Sequence, residues 1–185
     1  MQKGKVIFLN GTSSSGKTTL ALALQERLTE SFYLLSFDTF SMMTPQKGPL
    51  DEYMTARFKA ISGMHHTIKT FSDLGLNTII DHVLVEGQNT LEECVELLHE
   101  RDVLFVHVVC PLEELRRREK EREHTDFRKI GSAESQLSII VPQNTYDLTI
   151  DTYDNTVEEC TNQIMEALNY PEKFTAFRTL WAQRT

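Results

Sequence analysis

The chain has 185 residues, of which 40% are apolar and 25% are charged, and its formal net charge is −8. This length suits one α/β domain with a well-buried core and is too short for two. The negative charge argues against a nucleic-acid surface and an anionic membrane surface, since both require a positive field.

The cysteines and the apolar runs indicate the cellular compartment in which the protein is expected. Cys94, Cys110 and Cys160 are odd in number and far apart, which predicts free thiols in a reducing cytoplasm. The apolar run near the start covers only Val6 to Leu9 and ends at a glycine-rich loop, which does not fit a signal peptide. No window approaches the length of a membrane span. We therefore expect a cytoplasmic protein.

Apolar runs and amphipathic segments alternate along the chain. This alternation indicates an α/β fold in three layers, with a five-stranded parallel sheet and helices on both faces. Residues 1–170 form one predicted domain, and ligands of such sheets bind beyond the carboxyl ends of the strands. Strands are predicted at 5–10, 33–37, 78–85, 103–109 and 147–151, and helices at 17–29, 52–74, 89–100, 112–123, 130–140 and 154–168.

The first predicted strand leads into the pattern Gly-x-x-x-x-Gly-Lys-Thr, and a helix follows. This is the setting of a phosphate-binding P-loop, so the fold is expected to be that of a P-loop NTPase or kinase. Backbone N–H groups would cradle phosphate, Lys17 would reach the β- and γ-phosphates, and Thr18 would offer its hydroxyl to Mg²⁺. The alternative is a glycine- and serine-rich turn before an ordinary helix. The predicted nucleotide-binding residues here are Gly11, Thr12, Ser13, Ser14, Ser15, Gly16, Lys17, Thr18 and Thr19.

Asp38 follows the second predicted strand, about 20 residues after Thr18. In a P-loop kinase the acceptor lies at this place against the γ-phosphate. A carboxylate there can accept the proton of an attacking hydroxyl, or hold Mg²⁺ through a water. The alternative is an aspartate that caps the next turn.

The segment 39–76, between the second and third strands, is too long for a simple connection and is rich in Met and aromatic residues. We expect it to be the lobe that binds the acceptor, since such side chains pack adaptably around apolar ligands. The same residues at helical spacing would equally serve as core.

Asp81 follows the apolar run Thr78-Ile79-Ile80. A carboxylate after a buried strand is the Walker-B arrangement for Mg²⁺, which makes Thr18 and Asp81 the predicted metal ligands. The alternative is an aspartate bonded to neighbouring backbone. His82 would be either a substrate contact or a structural histidine.

The arginine-rich run after the fourth strand fits a lid over residues 116–131. Arg118 and Arg122 are four residues apart and share a helix face, and Arg128 follows in a polar stretch. In a kinase lid, such arginines neutralise charge that develops during transfer. The alternative is a solvated helix with pairs such as Glu114–Arg118, and it is the preferred interpretation for Arg116, Arg117 and Lys120.

The C-terminal tail, residues 171–185, has apolar residues at helical spacing: Phe174, Phe177, Leu180 and Trp181. These residues must be covered, either by the same domain, as we expect, or in a dimer. A monomer and a homodimer both remain open.

These motifs together resemble the chloramphenicol phosphotransferase family of P-loop small-molecule kinases, from about residue 5 to residue 168. Besides the P-loop, the resemblance rests on Phe37-Asp38-Thr39, Ile79-Ile80-Asp81, Val106-His-Val-Val-Cys110, the spacing of Arg118-Glu119, Arg122, Asp126-Phe-Arg128, Gly131 and Gln136, and Tyr146-Asp147-Leu-Thr-Ile-Asp151-Thr152. His82 stands where the family has a second acidic residue, and segment 39–76 does not match the drug-binding lobe. The acceptor is therefore left open.

The resemblance implies an enzyme that moves the γ-phosphate of ATP, with Mg²⁺, to a hydroxyl of a small-molecule acceptor. It implies that Asp38 is the general base and that Lys17 is catalytic. Arg122 and Arg128 match the lid positions, Arg118 would lie against the adenine, and the loop at Thr152 would border the adenine.

Two other functions remain possible on the sequence. One is a nucleoside, nucleotide or other metabolite kinase of the same fold. However, the chain lacks the Gly-Gly-Gly of shikimate kinases and the Asp-Gly-x-Pro-Arg of nucleoside monophosphate kinases. The other is a nucleotide-binding switch or toxin-like module with a protein partner, which only the tail with Trp181 favours.

Overall fold

A computed structural model describes residues 2–85, 89–122, 130–142 and 145–184. The strands are β1 (Val6–Asn10), β2 (Phe32–Ser36), β3 (Asn77–His82), β4 (Val103–Val109) and β5 (Leu148–Asp151). The helices are α1 (Lys17–Arg27), α2 (Phe37–Met42), α3 (Leu50–Asp73), α4 (Thr90–Leu98), α5 (Leu112–Glu121), α6 (Ser132–Leu137), α7 (Val157–Ala167) and α8 (Ala176–Ala182), with a 3₁₀ turn at Pro171–Lys173.

The five strands form one parallel sheet in the order β2-β3-β1-β4-β5. The register of this sheet places the carboxyl ends of β1, β2 and β3 side by side. Asp81 on β3 lies beside Leu9 on β1 and beside Ser36 on β2. The P-loop, Asp38 and Asp81 are therefore brought to the same edge of the sheet, as the sequence predicts.

Each face of the sheet has its own core, because alternate residues of a strand point to opposite faces. On β1, Val6 and Phe8 pack with α3, α4 and α8, whereas Ile7 and Leu9 pack with α1 and α7. All four side chains are fully buried. Burial of an aliphatic or aromatic side chain of this size contributes about 1.5–3 kcal/mol, so both helix layers are held mainly by hydrophobic packing. The three-layer α/β prediction is confirmed.

The predicted strands differ from the observed ones mainly at their ends. β2 ends at Ser36 rather than at residue 37, and Phe37 begins the short helix α2, which the sequence pattern did not predict. The cause is a local cap: the backbone N–H of Thr39 donates to the Ser36 hydroxyl. β3 ends at His82, short of the predicted residue 85.

The C-terminal tail lies against the domain. Phe174 and Phe177 are buried in the cores of the two sheet faces. Asp147 accepts hydrogen bonds from the backbone N–H groups at the start of α8, and Trp181 stacks on His99 with ring centroids 4.1 Å apart. The apolar residues of the tail, which alone favoured a protein partner, are thus covered by the chain itself.

Two further expectations from the sequence concern free cysteine thiols and membrane-spanning helices. Cys94, Cys110 and Cys160 are buried free thiols. Among the helices of the described residues, none has the length and apolar character needed to cross a membrane.

Candidate active site

The P-loop connects β1 to α1, and its two glycines are required for different reasons. A Cβ on Gly11 would lie 2.3 Å from the carbonyl oxygen of Val108 on β4, closer than a real contact allows. Gly16 has a φ of 95°, in the left-handed region that favours glycine. Ser14 also has a positive φ, 63°. This backbone shape turns successive loop N–H groups toward one hollow.

Lys17, the first residue of α1, is buried, and its Nζ donates to the carbonyl oxygen of Thr12 at 2.8 Å. Burial lowers the pKa of the Lys17 ammonium, while Asp81 and Asp38 act against this shift. Both carboxylates are therefore close enough to Lys17 to influence its charge. They bring a positive group and two negative groups to one place.

Thr18 and Asp81 form the predicted metal pair, with the Thr18 hydroxyl donating to Asp81 Oδ2 at 2.6 Å. Both donors are hard oxygens, which suit Mg²⁺. No cluster of three or more His, Cys, Asp or Glu side chains that could hold a metal occurs among the described residues. In a nucleotide site, one or two protein oxygens can hold Mg²⁺, since phosphate oxygens and waters supply the other ligands.

The hydroxyls of Ser14 and Ser15 fit a phosphate ligand. Their Oγ atoms are buried and have no hydrogen-bond partner within the described ranges. Buried hydroxyls are normally paired, so these two donors are free for an anion in the loop.

Asp38 is the second residue of α2 and lines the same cavity of about 590 Å³ as Lys17, Thr18 and Asp81. The alternative role, a cap of the next turn, is taken by Ser36 instead. The Asp38 carboxylate therefore belongs to the wall of the cavity that holds the P-loop.

Arg118 on α5 joins the end of β5 to the P-loop. Its guanidinium donates to the hydroxyl and carbonyl oxygens of Thr152, at 3.0 and 2.9 Å, and to Glu114 at 2.7 Å. The Thr152 hydroxyl in turn donates to the carbonyl of Ser15 at 2.7 Å. Arg118 and Thr152 both line the cavity beside the loop, where the family resemblance expects the nucleotide base.

Arg122 follows α5 and reaches the P-loop directly, since its guanidinium donates to the Ser13 hydroxyl at 2.9 Å. Gln136 on α6, to which the sequence assigned no role, accepts from the backbone N–H of Ser13 at 2.6 Å. Arg128 lies outside the described residues. Arg116 and Arg117 form exposed ion pairs with Glu134, Glu114 and Glu121, and Lys120 is exposed, in agreement with the solvated-helix interpretation.

The roles of two further residues were missed because they depend on distant backbone. Glu119 is buried and accepts from the N–H groups of Gly131 and Ala133, so it joins α5 to the start of α6. Asn10 bonds to both backbone groups of Leu84 and donates to the Tyr146 hydroxyl at 2.7 Å. It fixes the chain after β3.

The other half of the cavity combines apolar side chains with one charged residue of α3, Arg57. Met54, Phe58 and Ile61 of α3 face this half, together with Val83 and Val85 after β3. Only part of the predicted lobe 39–76 therefore contacts the cavity. Its residues Met54, Phe58 and Ile61 line the cavity, whereas Met64 is core and Met42 and Met43 are exposed.

Comparisons with known proteins bear on the family and the fold. An O-phosphotransferase of Mycobacterium tuberculosis is 29% identical over 220 residues, covering 96% of this chain and 89% of the relative. The adenylyl-sulfate kinase of Clostridium acetobutylicum is 30% identical over 124 residues, and the match spans 64% of this chain and only 58% of that enzyme.

In fold, the chain is similar to the Mycobacterium tuberculosis APS kinase solved with AMPPNP and APS, with a TM-score of 0.68 and 19% identity over 91% of this chain and 99% of that one. The sequence model of the chloramphenicol phosphotransferase-like protein family matches residues 4–169 of this chain. The chain therefore belongs to the chloramphenicol phosphotransferase-like family and is a P-loop kinase.

Proposed function

We propose that this kinase is an ATP-dependent small-molecule O-phosphotransferase with Asp38 as its general base. The observation that carries the proposal is that Asp38 lines one cavity with Lys17 and the Thr18–Asp81 pair. A phosphate cradle and a carboxylate in one cavity are the two parts that phosphoryl transfer to a hydroxyl requires.

In the proposed step, the acceptor hydroxyl gives its proton to the Asp38 carboxylate while its oxygen bonds to the γ-phosphorus. The bond from the γ-phosphorus to the bridging oxygen breaks, and ADP leaves with that electron pair. Lys17 neutralises charge on the β- and γ-phosphates. Arg122, together with Arg128 as the family resemblance implies, would neutralise charge that develops on the transferring group. Mg²⁺, held by Thr18 and Asp81, would offset further phosphate charge.

The acceptor is expected to be a small molecule with apolar bulk, because the cavity half opposite the P-loop is lined by apolar side chains such as Met54 and Phe58. Chloramphenicol, the compound named in the family description, has the character of such an acceptor.

The test is an acceptor panel assayed by ADP release and by the mass of the product. It contains chloramphenicol, neutral aromatic alcohols and polar sugars. We expect a neutral alcohol with apolar bulk to be phosphorylated in an ATP-dependent manner. Phosphorylation confined to polar sugars would contradict the proposed acceptor, and ATP use without transfer to any hydroxyl compound would contradict the O-phosphotransferase.

A second candidate is a kinase with a nucleotide acceptor. It is favoured by the 30% identity to an adenylyl-sulfate kinase. Adenylyl sulfate therefore belongs in the same panel, and a preference for it over every neutral alcohol would select this candidate.

A further inference from the structure

Arg57 on α3 places a positive charge in the acceptor half of the cavity. It lies three residues after Met54 and four before Ile61, so these three side chains share one face of the helix, and all three line the cavity. The other cations that the described part of the chain brings to the cavity wall contact the P-loop or Thr152 beside it: Lys17, Arg118 and Arg122. A single charge within an apolar wall is the kind of group that orients a ligand.

Two contacts with α2 hold the Arg57 guanidinium at this wall. Its Nε donates to the hydroxyl of Ser41 at 2.8 Å, and Ser41 is buried. Its Cζ lies 5.1 Å from the centroid of the Phe37 ring, within the range of a cation–π contact. Because one hydrogen bond and one ring fix the guanidinium, little side-chain freedom is lost when a ligand binds to it.

The helix that holds Arg57 also carries the proposed base. Phe37 and Ser41 are four residues apart on α2, and Asp38 directly follows Phe37. Asp38 and Arg57 both line the cavity. A ligand group bound at Arg57 and a hydroxyl at Asp38 therefore belong to neighbouring parts of one small molecule.

The chemistry of a guanidinium indicates the group that it would bind. Arg57 is planar and always charged, and such a side chain can donate two parallel N–H bonds to an oxyanion. The Ser41 hydroxyl and the Phe37 ring are neutral, so neither offsets this charge. The apolar side chains on the same face of α3 lower the local dielectric, which strengthens attraction to an anion. One cation beside Asp38 suits the single charge of a carboxylate better than the charge of a phosphate monoester, which approaches two.

We propose that Arg57 determines acceptor specificity by binding a carboxylate of the acceptor substrate. The proposal rests on the proposed function and narrows its substrate class to hydroxy acids with apolar bulk, in which the carboxylate lies near the reacting hydroxyl. A neutral alcohol with the same apolar part is then phosphorylated with a higher KM, since it keeps only the apolar contacts. A cationic amine at this position is repelled.

The first test needs no turnover and compares 2-phenylethanol with tropate. Tropate is 2-phenylethanol with a carboxylate on the carbon that bears the ring, and methyl tropate supplies the same bulk without the charge. Each is titrated calorimetrically into the full chain with a non-hydrolysable ATP analogue present, so that phosphates occupy the cations of the P-loop. We expect tropate to bind about 10–100-fold more tightly than the two neutral compounds, as for a charge-assisted pair. Equal affinities, or no measurable binding of tropate, would overturn the proposal.

The second test uses variants of Arg57. Arg57→Gln keeps a donor for Ser41 but loses the charge, whereas Arg57→Lys keeps the charge but loses the planar fork. We expect Arg57→Gln to abolish the advantage of tropate over 2-phenylethanol, and Arg57→Lys to retain part of it. Affinities for 2-phenylethanol and for ATP should stay unchanged in both. The control is Lys59→Gln, which removes an exposed cation from the same helix and should match the wild type.

The outcomes distinguish failure of this proposal from failure of the proposed function. If a panel acceptor is phosphorylated and Arg57→Gln leaves the KM of tropate unchanged, the carboxylate site is wrong while the phosphotransferase stands. If no acceptor is phosphorylated, the proposed function is wrong, and the tropate titration still decides the role of Arg57. Equal loss of affinity for tropate and 2-phenylethanol in Arg57→Gln, with a lower free energy of unfolding, would reduce Arg57 to a structural link between α2 and α3.

Discussion

The two halves of the cavity are built in different ways. The centre of the phosphate half comes from one contiguous stretch, the P-loop and the start of α1, and it uses backbone N–H groups, Lys17 and hydroxyls. Asp81, Arg122 and Gln136 reach this stretch from other elements. The acceptor half is assembled from α2, α3 and the chain after β3, and it presents apolar side chains with a few polar ones. A contiguous motif can be identified from sequence, whereas a surface made from separate elements depends on how they pack.

The largest expected effect is that of a substitution at Asp38, and it tests whether this residue acts on the acceptor without contributing to ATP binding. Asp38→Asn should leave ATP affinity unchanged and reduce kcat about 10²–10⁴-fold, because the amide cannot take the proton of the acceptor hydroxyl. Nucleotide titration and single-turnover transfer to the best panel acceptor measure the two quantities.

The matched control for Asp38→Asn is Asp51→Asn, at an exposed position in the first turn of α3. It should match the wild type in both assays. A full wild-type rate for Asp38→Asn would remove the general-base assignment. Weakened ATP binding would instead make Asp38 an organiser of Mg²⁺.

Lys17→Ala should impair the phosphate half alone. Loss of a charged donor to the phosphates is expected to weaken ATP binding about 10–100-fold, which corresponds to about 1.5–3 kcal/mol. Binding of the best panel acceptor should stay unchanged. Calorimetric titration of both ligands tests this, with the exposed Lys59→Ala as the control. An unaltered ATP affinity would contradict the P-loop assignment of Lys17.

A fall in pH should reduce the free energy of unfolding through the titration of His107. His107 on β4 is buried and stacks on Tyr146, whose hydroxyl accepts from Asn10. Burial lowers the pKa of His107 to about 4. Because this folded-state pKa lies below the unfolded value of about 6.5, the stability that neutral His107 contributes is present above pH 6.5 and is lost as the pH falls toward 4.

Between pH 7 and pH 5 this loss amounts to about 2 kcal/mol from His107 alone. Urea unfolding at the two pH values should therefore show a smaller pH-dependent loss in His107→Gln than in the wild type. His66→Gln, at an exposed position, is the control and should follow the wild type. The same loss in His107→Gln and the wild type would contradict the lowered pKa.

The sequence allowed prediction of the sheet, the P-loop and the residues that follow β2 and β3, because each depends on a local pattern. Helix α2 was missed because the apolar run continues through Phe37 while a single hydroxyl, that of Ser36, ends the strand. Gln136 belongs to the spacing that carries the family resemblance, but its role could not be predicted, and Glu93 carried no sequence signal. Each is an ordinary polar residue on a helix until the fold brings it to Ser13 or His65.

The smallest expected effect concerns the acceptor half. Phe58 on α3 is 45% exposed and lines the cavity. Its truncation in Phe58→Ala should leave the fold intact, because this side chain is not core. Loss of its apolar contact with a substrate should raise the acceptor KM about three- to tenfold, for about 1 kcal/mol, without changing ATP affinity. Met42→Ala, at a side chain 62% exposed, is the control on the same lobe. A change in ATP affinity rather than in acceptor KM would show that the two halves are not independent, because a side chain outside the P-loop would then contribute to the phosphate half.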